Sequence, residues 1–203
     1  MQIILHKNDL PSDVVFSGAV AVDTETMGLE VHRDRLCLVQ LSQGDGVCHL
    51  VKITPGQEVP SNLVKVLTDA SLPKIFHFAR FDVAILYKTF GIQTGPIFCT
   101  KIASKLTRTF TDRHGLKDLC KEIIKVEISK QEQTSDWGAS EYTEDQKKYA
   151  ATDVLHLHKL KAHFEGILER EGRMDLAKAA FQYLPHRCVM DVMAGQTYDI
   201  LSY

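Results

Sequence analysis

The chain has 203 residues, 44% hydrophobic and 25% charged, which suits one domain with a sizeable core or one domain with a short appendage. Its net charge of −2 speaks against a protein that grips a long nucleic acid through many phosphates, because such proteins are basic overall. No basic segment followed by a long apolar run opens the sequence, and no stretch reaches about eighteen apolar residues, so no signal peptide, membrane span or membrane partner is expected and the expected location is the cytoplasm. Cys37, Cys48, Cys99, Cys120 and Cys188 form no Cys-x-x-Cys pair, which predicts buried reduced thiols rather than disulfides or a zinc site.

The first half reads as strands. Gly18–Asp23 and Leu36–Leu41 are short apolar runs, Val47–Val51 follows the turn signal Gly44-Asp45-Gly46, and Lys74–Phe78 is a fourth run. Val83, Leu86, Tyr87 and Phe90 then recur at helical spacing. The second half is helical. Thr143 followed by Gln146 is a capping-box signature, and the helix it opens is expected to run to about Glu169, before Gly172. A second helix is expected over Met174–Leu184, ending at Pro185. Strands first and helices later predict an α/β sheet covered by helices. One domain is expected over residues 1–203, with its motif core at about 20–160 and a helical appendage at about 174–203.

Five residues carry the candidate chemistry. Asp23 and Glu25 stand at positions i and i+2 where an apolar strand ends, so both carboxylates face one side. Asp82 follows the fourth strand, where an Asp would ordinarily be a helix cap or dipole partner. Asp153 lies inside a helix, which excludes a cap role, and Tyr149 one turn earlier shares its face. Four converging carboxylates would repel one another unless cations sat between them, and two Mg²⁺ or Mn²⁺ ions roughly 4 Å apart need such a set of hard oxygen ligands. With these four acids set aside, 24 basic residues face 22 acidic ones, a balance that permits a nucleic-acid enzyme but favours a small substrate.

Asp23-x-Glu25, then Asp82 after a strand and His77, then Tyr149-x-x-x-Asp153, resemble the three exonuclease motifs of the DEDDy superfamily. Ser135-Asp136-Trp137, Gln146 and Tyr149-Ala150-Ala151-x-Asp153-Val154 resemble RNase D. The resemblance spans about Val20 to Leu160 and implies an RNase H-like fold with a mixed five-stranded sheet flanked by helices. It also implies 3′→5′ exonuclease activity with Asp23, Glu25, Asp82 and Asp153 as metal ligands and Tyr149 at the attacking water. His32–Leu36, His77–Asp82 and Cys99–Thr109 are similar to the nano-RNase C group, short alphaproteobacterial relatives of RNase D. That likeness implies short RNA, dinucleotides in particular, as substrate and a homo-oligomer, a ring-shaped octamer, as assembly. The helical C-terminal domains with which RNase D handles longer RNA are not expected in this chain. Cys99 departs from the Asp that commonly precedes Thr in RNase D, outside the metal motifs.

Further residues are candidates for substrate binding. Leu29 completes Asp23-x-Glu25-x-x-Gly28-Leu29, where related oligoribonucleases wedge a Leu between bases; the alternative is a turn residue packed on the core. Met27 could share that contact, being apolar and adaptable. His77 and Arg80 flank Asp82 and could meet the scissile region or a 5′ phosphate, or could be structural. Arg108, Phe110, Arg113 and His114 interleave cations with an aromatic, as nucleotide contacts do. Lys117, Lys121 and Lys125 recur every four residues as one basic helix stripe, which could equally be a solvated face. Trp137 is either a core anchor or a stacking residue. His156, His158 and His163 fall on different helix faces and are not expected to hold zinc. Arg187–Met193 is apolar enough for a subunit contact or for folding onto its own domain.

Overall fold

The computed structural model describes residues 1–128, 132, 134–194 and 199–202. Six strands, β1 (Gln2–Lys7), β2 (Val20–Thr26), β3 (Leu36–Ser42), β4 (Val47–Lys52), β5 (Lys74–Phe76) and β6 (Ile97–Cys99), form one sheet in the order β1-β4-β3-β2-β5-β6. Pairing is antiparallel for β2–β3 and β3–β4 and parallel for β1–β4, β2–β5 and β5–β6. The sheet is therefore mixed, as expected, but has six strands where five were expected. β1 and β6, which were not among the four runs read in the sequence, were hidden for different reasons. In β1 the apolar residues Ile3, Ile4 and Leu5 are consecutive, which breaks the alternation that marks a strand, and β6 has only three residues.

The helices are α1 (Ser61–Thr68), α2 (Ala79–Phe90), α3 (Thr100–Thr107), α4 (Leu116–Leu119), α5 (Glu144–Leu155), α6 (Leu157–Arg170) and α7 (Met174–Ala194). No helix was expected at α1, because its first residues carry no cap of their own. Asp9 supplies one from far along the chain, accepting from the backbone N–H groups of Asn62 and Leu63 at 3.0 and 2.9 Å. The box at Thr143 forms as expected: Thr143 Oγ1 accepts from Gln146 N at 3.1 Å, and Gln146 Oε1 accepts from Thr143 N at 2.9 Å.

Three helical expectations need correction. The helix opened by Thr143 breaks at His156 (φ −102°, ψ −8°), so that Ala150, Ala151 and Val154 are buried on one segment and Leu157, Leu160, Phe164 and Leu168 on the next. Pro185 does not end α7. Ala177, Phe181, Leu184 and Cys188 are buried at helical spacing on both sides of it, and that shared apolar face outweighs the lost hydrogen bond. Lys117, Lys121 and Lys125 do not make one stripe, because α4 passes into a π turn at Cys120–Ile124 and Lys125 leaves the helix with φ 58°. Lys121 then pairs with Glu127 at 2.9 Å, and Lys125 donates to Glu122 O at 2.8 Å.

The core lies against β2, β3 and β4, where Val20–Val22, Leu38, Val39, Leu41, Leu50 and Val51 have no exposure. All five cysteines are buried free thiols. Among the described residues no helix is long and apolar enough to cross a membrane. Residues 195–198 and 203 of the expected appendage lie outside the described residues.

Candidate active site

On β2 the side chains alternate: Thr24 and Thr26 point into the protein, while Asp23 and Glu25 are half-buried on the other face. α5 packs against β2 and β3 and brings Asp153 to that face, so that one carboxylate oxygen each from Asp23, Glu25 and Asp153 lies within 4.8 Å of the others. Asp82, only 3% exposed, stands in the first turn of α2 and lines the same cleft of about 290 Å³. Its Oδ1 accepts a hydrogen bond from Thr24 Oγ1 at 2.7 Å, so the residue between the paired acids of β2 holds the acid of α2. Thr24 gave no signal of its own in the sequence.

Burial is the main cause that drives the carboxyl groups of Asp23 and Glu25 well above their ordinary range. Their neighbours Asp82 and Asp153 push in the same direction. Asp82 is raised to about 7, by burial first, against the opposing hydrogen bond from Thr24. Tyr149 lines the same cleft one helical turn before Asp153, and its hydroxyl is likewise raised, by burial and then by Asp153, Glu25 and Asp23. Hard oxygen donors of one charge, brought within a few ångströms and disfavoured as anions there, fit a divalent cation such as Mg²⁺.

The cleft is also lined by Leu29, His77, Phe78, Phe81, Lys101, Lys117 and Ile128. Leu29 is 76% exposed, on the loop that leaves β2 at a register shift between Glu25 and Thr26. Gly28 shapes that loop: a Cβ there would collide with the Asp34 carboxylate, which accepts from Glu30 N at 2.9 Å. His77 Nδ1 lies 2.9 Å from Thr100 Oγ1, whose own proton goes to Phe76 O at 3.1 Å, so His77 donates from Nδ1. Phe78, the residue before α2, has φ 66° and ψ 43°, a left-handed conformation that costs a side-chain-bearing residue about 1–2 kcal/mol.

Other sequence candidates lie away from the cleft lining. Arg80 turns to α7, where its Nε and Nη2 donate to the two Asp191 oxygens at 2.6 and 2.9 Å. Arg108 is mostly buried, forms an ion pair with Glu122 and donates to Arg113 O at 2.8 Å; Arg113 is exposed, with Nη1 3.8 Å from Glu122. Met27 lies against Gly138, where any Cβ would meet its sulfur. Trp137 is 2% exposed and packs on Tyr142 and Tyr149 with centroids 5.7 and 6.1 Å apart, beneath the cleft rather than in it. The cleft cations are instead Lys101 and Lys117. Lys101 stood inside one of the stretches similar to the nano-RNase C group, where nothing in the spacing singled it out, and Lys117 was read as part of a basic helix stripe rather than as a cleft residue.

Comparison with known proteins agrees with this geometry. A family model described as 3′-5′ exonuclease matches residues 6–169. Ribonuclease D of Gluconacetobacter diazotrophicus is 35% identical over 156 residues, which cover 77% of this chain and 39% of that protein. The chain thus spans about two-fifths of the length of the curated relatives it matches. Brucella melitensis NrnC with bound Mg²⁺ superposes with a TM-score of 0.94 at 52% identity, over all of both chains. The same Brucella protein bound to pGG gives 0.95 at 53%, over 100% of this chain and 99% of that one. Escherichia coli RNase D gives 0.73 at 28% identity, over 84% of this chain and 44% of that one. With the acids of its three motifs gathered in one cleft and the family model covering most of its length, the chain belongs to the 3′-5′ exonuclease family of RNase D-like proteins.

Proposed function

We propose that this protein is a 3′→5′ exoribonuclease that hydrolyses short RNA, dinucleotides in particular, to nucleoside 5′-monophosphates, with two divalent cations, Mg²⁺ or Mn²⁺. The observation that carries the reading is the convergence of Asp23, Glu25 and Asp153 beside the buried Asp82. These four side chains would hold the cations. When bound, the cations would supply positive charge opposite the phosphate and make an attacking water more acidic. The water oxygen joins phosphorus, the bond from phosphorus to the upstream 3′ oxygen breaks, and that oxygen takes up a proton. Tyr149 stands one helical turn before Asp153 in the same cleft, and with its hydroxyl raised above the ordinary tyrosine range it stays protonated at neutral pH. It therefore orients the water rather than deprotonating it.

The size and charge of the cleft support a short substrate. Two lysines line it and Arg108, Arg113 and Arg80 are engaged elsewhere with Glu122 and Asp191, so a long phosphate track has few partners here. The pGG bound by the Brucella relative supports a short substrate. A broader exonuclease acting on longer chains is the competing reading. Titrating a 5′-phosphorylated dinucleotide and a heptamer at two salt concentrations separates them. The dinucleotide is expected to bind more tightly with a shallow salt slope, and Leu29→Ala is expected to erode that preference. Tighter and steeply salt-dependent binding of the heptamer would favour the broader enzyme.

A further inference from the structure

Phe78 is an aromatic residue that neither its backbone nor its burial explains. It occupies the N-cap position of α2, where Ser, Thr, Asp or Asn would accept a hydrogen bond from the first turn, yet it makes no side-chain cap. Its φ of 66° lies in the region that Gly or Asn adopts at little cost and an aromatic residue avoids. Nor does the core hold the ring, which is 48% exposed in the wall of the cleft. The Lys101 ammonium sits 3.9 Å from the ring centroid and lines the same cleft. Strained conformations at exposed, bulky side chains persist where the side chain serves a ligand. An aromatic face beside a cation is the pairing that single-stranded nucleotides meet, with the base stacked and a phosphate neutralised.

We propose that Phe78 and Lys101 form a nucleotide platform, Phe78 stacking on one base of the bound RNA and Lys101 meeting a phosphate. The proposal deepens the exoribonuclease reading and rests on it. It also accounts for the left-handed junction, which turns the ring out of the strand-to-helix corner and into the cleft wall.

The test is Phe78→Asn, which keeps a residue suited to the left-handed conformation and removes the ring. Hydrolysis and binding are measured with pGG and with two counterparts, each lacking one guanine base, alongside thermal melting. The variant is expected to melt no lower than wild type, to raise KM for pGG at least tenfold with a smaller fall in kcat, and to lose that penalty on one of the two counterparts. Phe78→Tyr is expected to restore KM, and Lys101→Gln to weaken pGG binding with a shallower salt slope. Unchanged KM in Phe78→Asn, or an equal penalty on pGG and both counterparts, would overturn the platform while leaving the nuclease in place. A wild-type protein that neither binds nor cleaves pGG would remove the exoribonuclease reading and the platform with it.

Discussion

Two aspartates meet the same helix, α2, under opposite conditions. Asp191 of α7 faces Arg80 through two hydrogen bonds and Arg187 through a third at 3.0 Å, so its charge is balanced by two guanidinium groups. Asp82, on α2 itself, is almost wholly buried, accepts from the Thr24 hydroxyl, and has Asp153 as the neighbouring charge that shifts it. The first arrangement is complete without any ligand and braces α2 against α7. The second is unfavourable to its own anion until positive charge arrives from outside. One aspartate is met by two arginines, one of them shared with Asp199 at 2.8 Å, and holds the helix, whereas the other is met by the Thr24 hydroxyl and is, on the proposed reading, left for a cation.

The largest expected break in that comparison comes from the cleft. Asp153→Asn or Asp23→Asn should lower hydrolysis by roughly 10³-fold or more, since an amide cannot replace an anionic ligand to a hard cation. In chelator at pH 8 the same variants should melt higher than wild type, because a mutual repulsion is gone. Turnover assays and melting curves check both, and wild-type turnover in either variant would end the metal-site reading. Next is the pH dependence of the metal-free protein. Asp82 holds its proton up to about 7 when folded, whereas its ordinary value is 3.8. The folded state therefore binds more protons than the unfolded state between those values, and stability falls as pH rises from about 4 through 7. The difference in melting temperature between wild type and Asp82→Asn isolates this slope, which excess Mg²⁺ should flatten. A rising slope would show that the acids are not disfavoured as anions. The smallest effect is expected at the brace. Asp191→Asn should cost about 1–2 kcal/mol in urea unfolding, moderated by the partial exposure of Arg80, with little change in KM. Tighter substrate binding in that variant would show that freeing Arg80 creates a substrate contact.

The difference between brace and cleft also marks how far the sequence could be read. Strand and helix periodicity put Asp23 with Glu25 and Tyr149 with Asp153 on shared faces, the likeness to the exonuclease motifs joined the two pairs, and the Thr143 box opens α5 by purely local chemistry. Arg80 stayed open between a substrate ligand and a structural residue because its partner Asp191 lies 111 positions away and cannot be inferred from spacing. Arg108 was similar, being taken up by Glu122 through a fold that turns the chain back on itself. α1 was invisible because Asp9 caps it from another part of the chain. Pro185 misled because a shared buried face outweighs a local breaker. Phe78 lay inside a stretch similar to the nano-RNase C group but was not marked off from its neighbours, since its left-handed backbone, its exposure and its contact with Lys101 exist only in the fold.

The acid set comes from β2, α2 and α5, and the strand that carries its first two members sits between β3, which follows at once, and β5, which arrives only after α1. During synthesis, the hairpin of β2 and β3 can place Asp23 and Glu25 early, but the last carboxylate is encoded 128 positions after Glu25. No nascent chain that ends before Asp153 can assemble the set. Until Asp153 has been made and α5 has docked on β2, the chain carries Asp23 and Glu25 without the complete set.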